Sequence, residues 1–227
     1  MELQRIGRIE SCFGGKFGTP RQPGLCPSAW GRLVLEGDFR CAEALRGIEG
    51  FSHVWLIFGF HETVGKGWHP TVRPPRLGGN ERVGVFASRS TFRPNGLGLS
   101  LVRLEGIEEG KGGSPALLLG GLDLIDGTPV YDIKPYLPYA EAVGDAVGGY
   151  AAEAPGRLVV EVGEGARGAF EGLPERAQRV ILEALALDPR PAAGAGAGDE
   201  ERVYGADLCG RNVRFLVRGG ICEVVGV

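Results

Sequence analysis

The chain of 227 residues balances 25 Lys and Arg against 28 Asp and Glu, for a net charge of -3, and is 43% hydrophobic with 40 glycines and 15 prolines. That length buries the core of one large or two small domains, and the apolar fraction argues against disorder despite the glycine. The charge balance excludes a uniformly basic coat, and interior glycines, at ~1 kcal/mol each relative to alanine, disfavour a helical bundle.

The first residues open without a signal-peptide core, and no apolar run approaches the ~20 residues that span a bilayer. The expected location is therefore cytoplasmic, with no membrane partner. Short runs rich in Ile, Val, Leu and Phe, bounded by Gly, Pro, Asn or Asp, predict strands over 3–10, 31–36, 53–60, 83–87, 98–108 and 116–124. Between the second and third, Asp38 as N-cap and Gly47 as stop predict one two-turn helix over 38–45. This spacing predicts a mainly β fold, a closed barrel or sandwich over 1–150, and excludes a doubly wound parallel sheet. Residues 151–156 read as a connector to a small α+β domain over 151–227. That domain holds a strand at 157–162, a helix from near Pro174 and strands at 211–217 and 220–225. The helix places Ala177, Val180, Ile181, Ala184 and Leu185 on one stripe, which reads as core packing. The Ala-Gly tract at 192–198 is expected to be a flexible loop.

Charge is segregated along the chain. Lys66, Arg73, Arg76, Arg82, Arg89, Arg93 and Arg103 face only Glu81 in residues 66–103, interleaved with Trp68, His69, Phe86 and Phe92. Arginine forks suit phosphate, and exposed rings stack on bases, so a nucleic-acid contact competes evenly with a solvated loop. The turn Pro20-Arg21-Gln22-Pro23-Gly24 is rigid and polar. Asp123, Asp126, Asp132, Lys134 and Tyr136 gather titratable groups within fourteen residues. His53 and His61 share strand parity, but without a neighbouring Cys they make no metal site, and the five dispersed cysteines read as free thiols. Gly163-Glu164-Gly165-Ala166-Arg167-Gly168 matches a dinucleotide fingerprint. It lacks the second βαβ unit, and Gly172 and Pro174 interrupt the helix such a motif must open.

Four stretches together carry a resemblance: Pro20 to Gly24, Arg46-Gly47-Ile48-Glu49-Gly50-Phe51-Ser52-His53-Val54-Trp55, and the runs 70–80 and 84–95. With Asp123 to Thr128, Asp132 to Pro138 and Asp188-Pro189-Arg190-Pro191, the chain closely resembles the TrmO (TsaA-like) family across both proposed domains. The resemblance implies a homodimeric S-adenosyl-L-methionine-dependent methyltransferase with a small β-barrel catalytic domain. Its reaction would be methylation of N6 of N6-threonylcarbamoyladenosine beside the anticodon, making the tRNA anticodon arm a partner. Carried over by motif, the donor contacts are Pro20, Arg21, Gln22, His61, Glu62, Arg89, Leu99 and the loop Asp123, Leu124, Ile125 and Asp126. Asp132, Lys134 and Tyr136 are the expected catalytic group, Arg73, Arg76 and Arg93 the expected RNA contacts, and no metal is expected. Two departures stand out: Asn95-Gly96-Leu97-Gly98 where members commonly read Asn-Pro-Ile-Gly, and an uncharged tract followed by Asp199-Glu200-Glu201 after the Asp-Pro-Arg-Pro motif. A non-catalytic tRNA-binding module, or a methyltransferase for another RNA or a small molecule, are the alternatives.

Overall fold

Buried and half-buried residues alternate along Trp30–Leu35 and most of His53–Gly59, the period of strands with one face on a core. The structure, a computed structural model, describes residues 2–110, 113–191 and 201–227. The tract expected as a loop at 192–198, and Asp199 and Glu200 after it, lie outside the described residues. The chain runs through β1 (Gly7–Ser11), β2 (Trp30–Leu35) and β3 (His53–Gly59), then the two-residue strands β4 (Thr71–Val72) and β5 (Val83–Gly84). It continues through β6 (Leu97–Glu109), β7 (Pro115–Gly120) and β8 (Pro129–Pro135). Six of these strands close into a barrel in the order β1-β2-β7-β6-β3-β8, and β4 and β5 pair as a ribbon within the long β3–β6 connection. A sandwich is thereby replaced by one continuous ladder.

The remaining elements are α1 (Pro138–Glu141), β9 (Val159–Val162), α2 (Glu164–Glu171), α3 (Glu175–Ala186), β10 (Tyr204–Leu208), β11 (Arg211–Arg218) and β12 (Ile221–Gly226). The last four strands form a sheet in the order β10-β11-β12-β9, antiparallel except for the β12–β9 pair. The fold is thus mainly β with a C-terminal α+β region.

Several local expectations change. Residues 38–45 form two 3-10 turns, Gly37–Phe39 and Ala42–Leu45, separated by extended Cys41; Asp38 lies inside the first turn instead of capping a helix. A stretch this short does not recover the cost of nucleating an α-helix. Only Val83–Gly84 of the expected strand 83–87 is extended, because Val85–Ala87 turns as 3-10 helix to bury Val85. The strand predicted over 116–124 stops at Gly120, where Gly121 takes a φ of 67°. Five of these strands and helices were not foreseen: the two-residue β4 and the four-residue α1; β8, whose terminal prolines and polar Asp132 and Lys134 blur its alternation; α2, hidden by its glycines; and β10.

The chain packs as two units that interleave in sequence. The first comprises Met1–Glu10, Arg32–Leu119 and Gly127–Ala154; the second comprises Ser11–Gly31, Gly120–Asp126 and Pro155–Val227. A division at residue 150 therefore follows chain order but not packing. In the second unit Cys12, Phe13, Cys26 and Ala29 join Val180, Ile181, Ala184 and Leu185 of α3 and Leu208, Val213 and Phe215 of the sheet in one buried cluster. The stripe on α3 is core, as its periodicity predicts. Phe17, Tyr204 and Phe215 stack there with centroids 5.6 to 6.2 Å apart. Each such side chain contributes about 1.5–3 kcal/mol by leaving water. Polar pairing reinforces the arrangement: Ser28 donates through N–H and Oγ–H to Glu183 at 2.8 and 2.7 Å, and Arg176 donates to the Ser28 carbonyl at 2.9 Å. Among the described residues no helix is long and apolar enough to cross a membrane, and no three His, Cys, Asp or Glu are grouped to hold a metal ion. All five cysteines are free thiols.

Candidate functional site

The expected donor-binding residues divide between the two units. In the second unit the turn at 20–24 and the loop at 122–126 are brought together by glycine backbone. Gly121, in a conformation that L side chains rarely adopt, accepts from the Gly24 N–H at 2.9 Å, and its Cβ position lies 3.6 Å from Gly24 Cα. Pro20 and Leu124 are buried, Gln22, Asp123 and Ile125 half-buried, and Arg21 and Asp126 exposed. The loop is held by a residue that carries no signal of its own in the sequence, Ser11. Its N–H donates to Asp126 Oδ1 at 2.9 Å, its Oγ–H to the Leu124 carbonyl at 2.7 Å, and its Oγ accepts from the Phe13 N–H at 3.1 Å. The Asp126 N–H closes the array on the Phe13 carbonyl at 2.9 Å. Asp188 sits in the same unit, gripped by the Arg190 fork at 2.8 Å through each oxygen. Burial works to raise its pKa, but that fork and the nearby charge of Arg21 outweigh it and hold the carboxyl below its ordinary range.

In the first unit, β3 ends at Gly59, so His61 is not on the strand with His53 and the shared parity has no meaning. His61 and Glu62 are exposed in a 3-10 turn, His61–Thr63, fixed by the bond from the Phe60 N–H to the Gly96 carbonyl at 2.8 Å. Directly opposed residues of an antiparallel ladder point to one face. Since Val54, Leu56 and Phe58 are buried, the outer face carries Trp55 and Ile57 with their partners Leu101 and Leu99 on β6 and Lys134 and Asp132 on β8. Leu99 is 53% exposed there. Tyr136, just beyond β8, stands edge-on to His53 and Trp55 at 6.4 and 6.2 Å. Glu141, overlooked in the sequence, accepts from Trp55 Nε1 at 3.0 Å and from the Leu137 N–H at 2.8 Å. Those bonds, the Leu137 one foremost, lower its pKa, with Lys134 adding its charge. Asp132, Lys134 and Tyr136 thus share one surface with two aromatics and a carboxylate.

The cationic loops between β3 and β6 combine display and bracing. Arg73 and Arg89 are exposed, as are Trp68 and Phe86 at 52% and 74%. Arg82 donates to Thr71 Oγ1 at 2.9 Å, and Arg76 donates to the Glu153 carbonyl. Arg93 donates to the carbonyls of Val85 and Ser88 at 3.2 and 2.7 Å, and its guanidinium lies 5.9 Å from the Phe86 ring centre. It stiffens the turn that presents Phe86, a role its charge alone does not announce.

Comparison with known proteins finds likeness along both the N-terminal and the C-terminal segment. Residues 8–142 match the family model described as tRNA-methyltransferase O N-terminal domain, and residues 155–227 match the TrmO C-terminal domain. The chain is 48% identical to the tRNA (adenine(37)-N6)-methyltransferase of Escherichia coli (strain K12), over 98% of this chain and 96% of that protein. It is 52% identical to a putative S-adenosylmethionine-dependent methyltransferase, RcsF, of Pseudomonas aeruginosa, over 82% of this chain and 80% of that one. The crystal structure of TrmO from Pseudomonas aeruginosa superposes with a TM-score of 0.81 at 41% identity, covering 100% of this chain and 97% of that chain.

Proposed function

The chain belongs to the tRNA-methyltransferase O family, and on that basis we infer that it is an S-adenosylmethionine-dependent tRNA methyltransferase acting on N6 of adenine 37. The observation that carries this reading is the likeness along the whole length, through the barrel segment and the C-terminal segment alike. The finer reading is that the adenine already bears an N6-threonylcarbamoyl group and that the enzyme works as a homodimer on the anticodon arm of cytoplasmic tRNA. Tyr139, Val143 and Val147, exposed apolar side chains within nine residues of sequence, support self-association.

When bound, S-adenosylmethionine supplies an electrophilic methyl group on a sulfonium centre. We assign its recognition to Pro20, Arg21, Gln22, the loop from Asp123 to Asp126, His61, Glu62, Arg89 and Leu99. The donor set fits that chemistry: Glu62, Asp123 and Asp126 suit its cationic groups, and Arg21 and Arg89 its carboxylate. The 20–24 turn and the 122–126 loop are pre-formed by backbone bonds, so little ordering is left for binding. The geometric demand on the protein is to hold N6 in line with the methyl carbon.

An acylated N6 is a weak nucleophile and must shed its proton as the new bond forms. Asp132, Lys134 and Tyr136 are assigned to that work on the outer face of β8: a carboxylate to accept the proton, an ammonium to hold developing negative charge, and a phenol to orient the base. Arg73, Arg76 and Arg93 are assigned to the phosphates. The test is methyl transfer from labelled donor to tRNA prepared with and without threonylcarbamoyl groups. Label is expected only in the modified tRNA. Label in neither overturns the enzyme assignment; label in both overturns the finer substrate alone.

A further inference from the structure

Cys209 and Gly210 form the two-residue turn between β10 and β11, closed by the pair Leu208 and Arg211, and both have positive φ, 56° and 71°. Such turns favour Asn, Asp or Gly, and an L side chain in the left-handed region costs roughly 1–2 kcal/mol. A cysteine brings no turn chemistry to offset that cost. Its counterpart lies across the chain: Phe13 pairs antiparallel with Leu208, which sets Cys12 opposite Cys209, and the Cys209 N–H donates to the Cys12 carbonyl at 2.6 Å. Opposed residues in an antiparallel pair stand about 4.5–5.5 Å apart at Cα, within the ~4.4–6.8 Å that a disulfide spans. Cys12 is 3% exposed, while Cys209 is half-exposed and is the pair's contact with solvent.

We propose that Cys12 and Cys209 are a reversible disulfide-forming site, oxidised by peroxide, that controls the loop at 123–126. The residues flanking Cys12 make the connection, for Ser11 and Phe13 supply the bonds that hold Leu124 and Asp126. Closing a sulfur–sulfur bond at Cys12 turns its backbone and disturbs that array. Only this second half rests on the reading of the loop as a donor contact.

The chemistry balances with hydrogen peroxide as oxidant. Pairing with Cys209 holds the Cys12 thiol below its ordinary range against the pull of burial, helped by the Trp30 N–H at 3.4 Å, while the same pairing pushes Cys209 up. One sulfur of the pair, as its thiolate, displaces one oxygen of peroxide to give a sulfenic acid and, with a proton, water. The other sulfur then attacks the oxidised one, the S–S bond forms, and hydroxide leaves with the second thiol's proton as a second water. Two electrons pass from the pair to one peroxide, and a dithiol returns them.

The full chain, treated with hydrogen peroxide and digested, is expected to yield the Cys12–Cys209 cross-linked peptide, with five free thiols falling to three and dithiothreitol restoring all five. S-adenosylmethionine affinity, measured by calorimetry, is expected to fall about tenfold on oxidation, a change of about 1.4 kcal/mol. Cys209→Asn, which suits the turn, is expected to keep its affinity under peroxide. A cross-link through Cys26 or Cys41 instead, an oxidised pair with unchanged affinity, or equal loss in Cys209→Asn overturns the proposal. Failure of the reduced protein to bind the donor refutes the donor assignment, and the peptide map still decides the pair.

Discussion

Replacing Ser11 by alanine tests whether the 123–126 loop is held from outside itself. The substitution deletes the Oγ–H bond to the Leu124 carbonyl at 2.7 Å and the bond from the Phe13 N–H at 3.1 Å, and leaves the backbone bond to Asp126 in place. Phe13 is fully buried and Leu124 nearly so, so neither orphaned group is freely rehydrated. At about 1 kcal/mol for each bond, the expected loss is about 2 kcal/mol. For a chain of this size that corresponds to a melting temperature about 4–8 °C lower. Because the bonds lost are those that position the loop, affinity for S-adenosylmethionine should weaken in parallel, with Ser11→Thr restoring both through its retained hydroxyl. Thermal unfolding and titration calorimetry on the three proteins read the two effects. An alanine variant that melts and binds like the parent refutes the argument that Ser11 holds the loop.

Gly98→Ala would set a Cβ 2.2 Å from Phe58 Cζ, forcing a ring that packs edge-on to Phe60 at 5.2 Å; a destabilisation of about 1–3 kcal/mol is expected in denaturant unfolding, and an unchanged midpoint contradicts it. Arg73→Ala should reduce the slope of log affinity for tRNA against log salt by about one, measured by filter binding, whereas an unchanged slope removes Arg73 from the phosphate contacts. Tyr136→Phe should lower kcat while leaving donor affinity intact; full turnover would exclude the phenol from the reaction. Because Asp188 has a lowered folded-state pKa, its contribution to stability is complete above the ordinary Asp value of ~3.9 and is lost as pH falls through the lowered one. Asp188→Asn should therefore flatten the acid limb of the stability curve, and an unaltered limb would place the pairing energy elsewhere.

Particular residues show how far local signals reach. The α3 stripe and the cores of β2, β3 and β6 follow from period and turn punctuation, which any short window displays. The helix expected at 38–45 gives way to two 3-10 turns on either side of extended Cys41, because a stretch this short does not recover the cost of nucleation. Asp132, Lys134 and Tyr136 were legible as a titratable group, yet Glu141 and Trp55 were not. Their hydrogen bond joins positions 86 residues apart, and only the pairing of β3 with β8 sets the surface on which they meet.

From residue types and spacing alone came the mainly β character, the α+β tail, the concentration of arginine beneath a nearly neutral total and the motifs that carry the family. Tertiary structure alone decided that 11–31 and 120–126 pack with the C-terminal unit, that Ser11 holds a loop 113 and 115 residues away, and that Cys12 lies beside Cys209. The physical reason is that propensity, alternation and turn chemistry act over a few residues. Burial and hydrogen-bond satisfaction are settled among groups that chain order keeps apart.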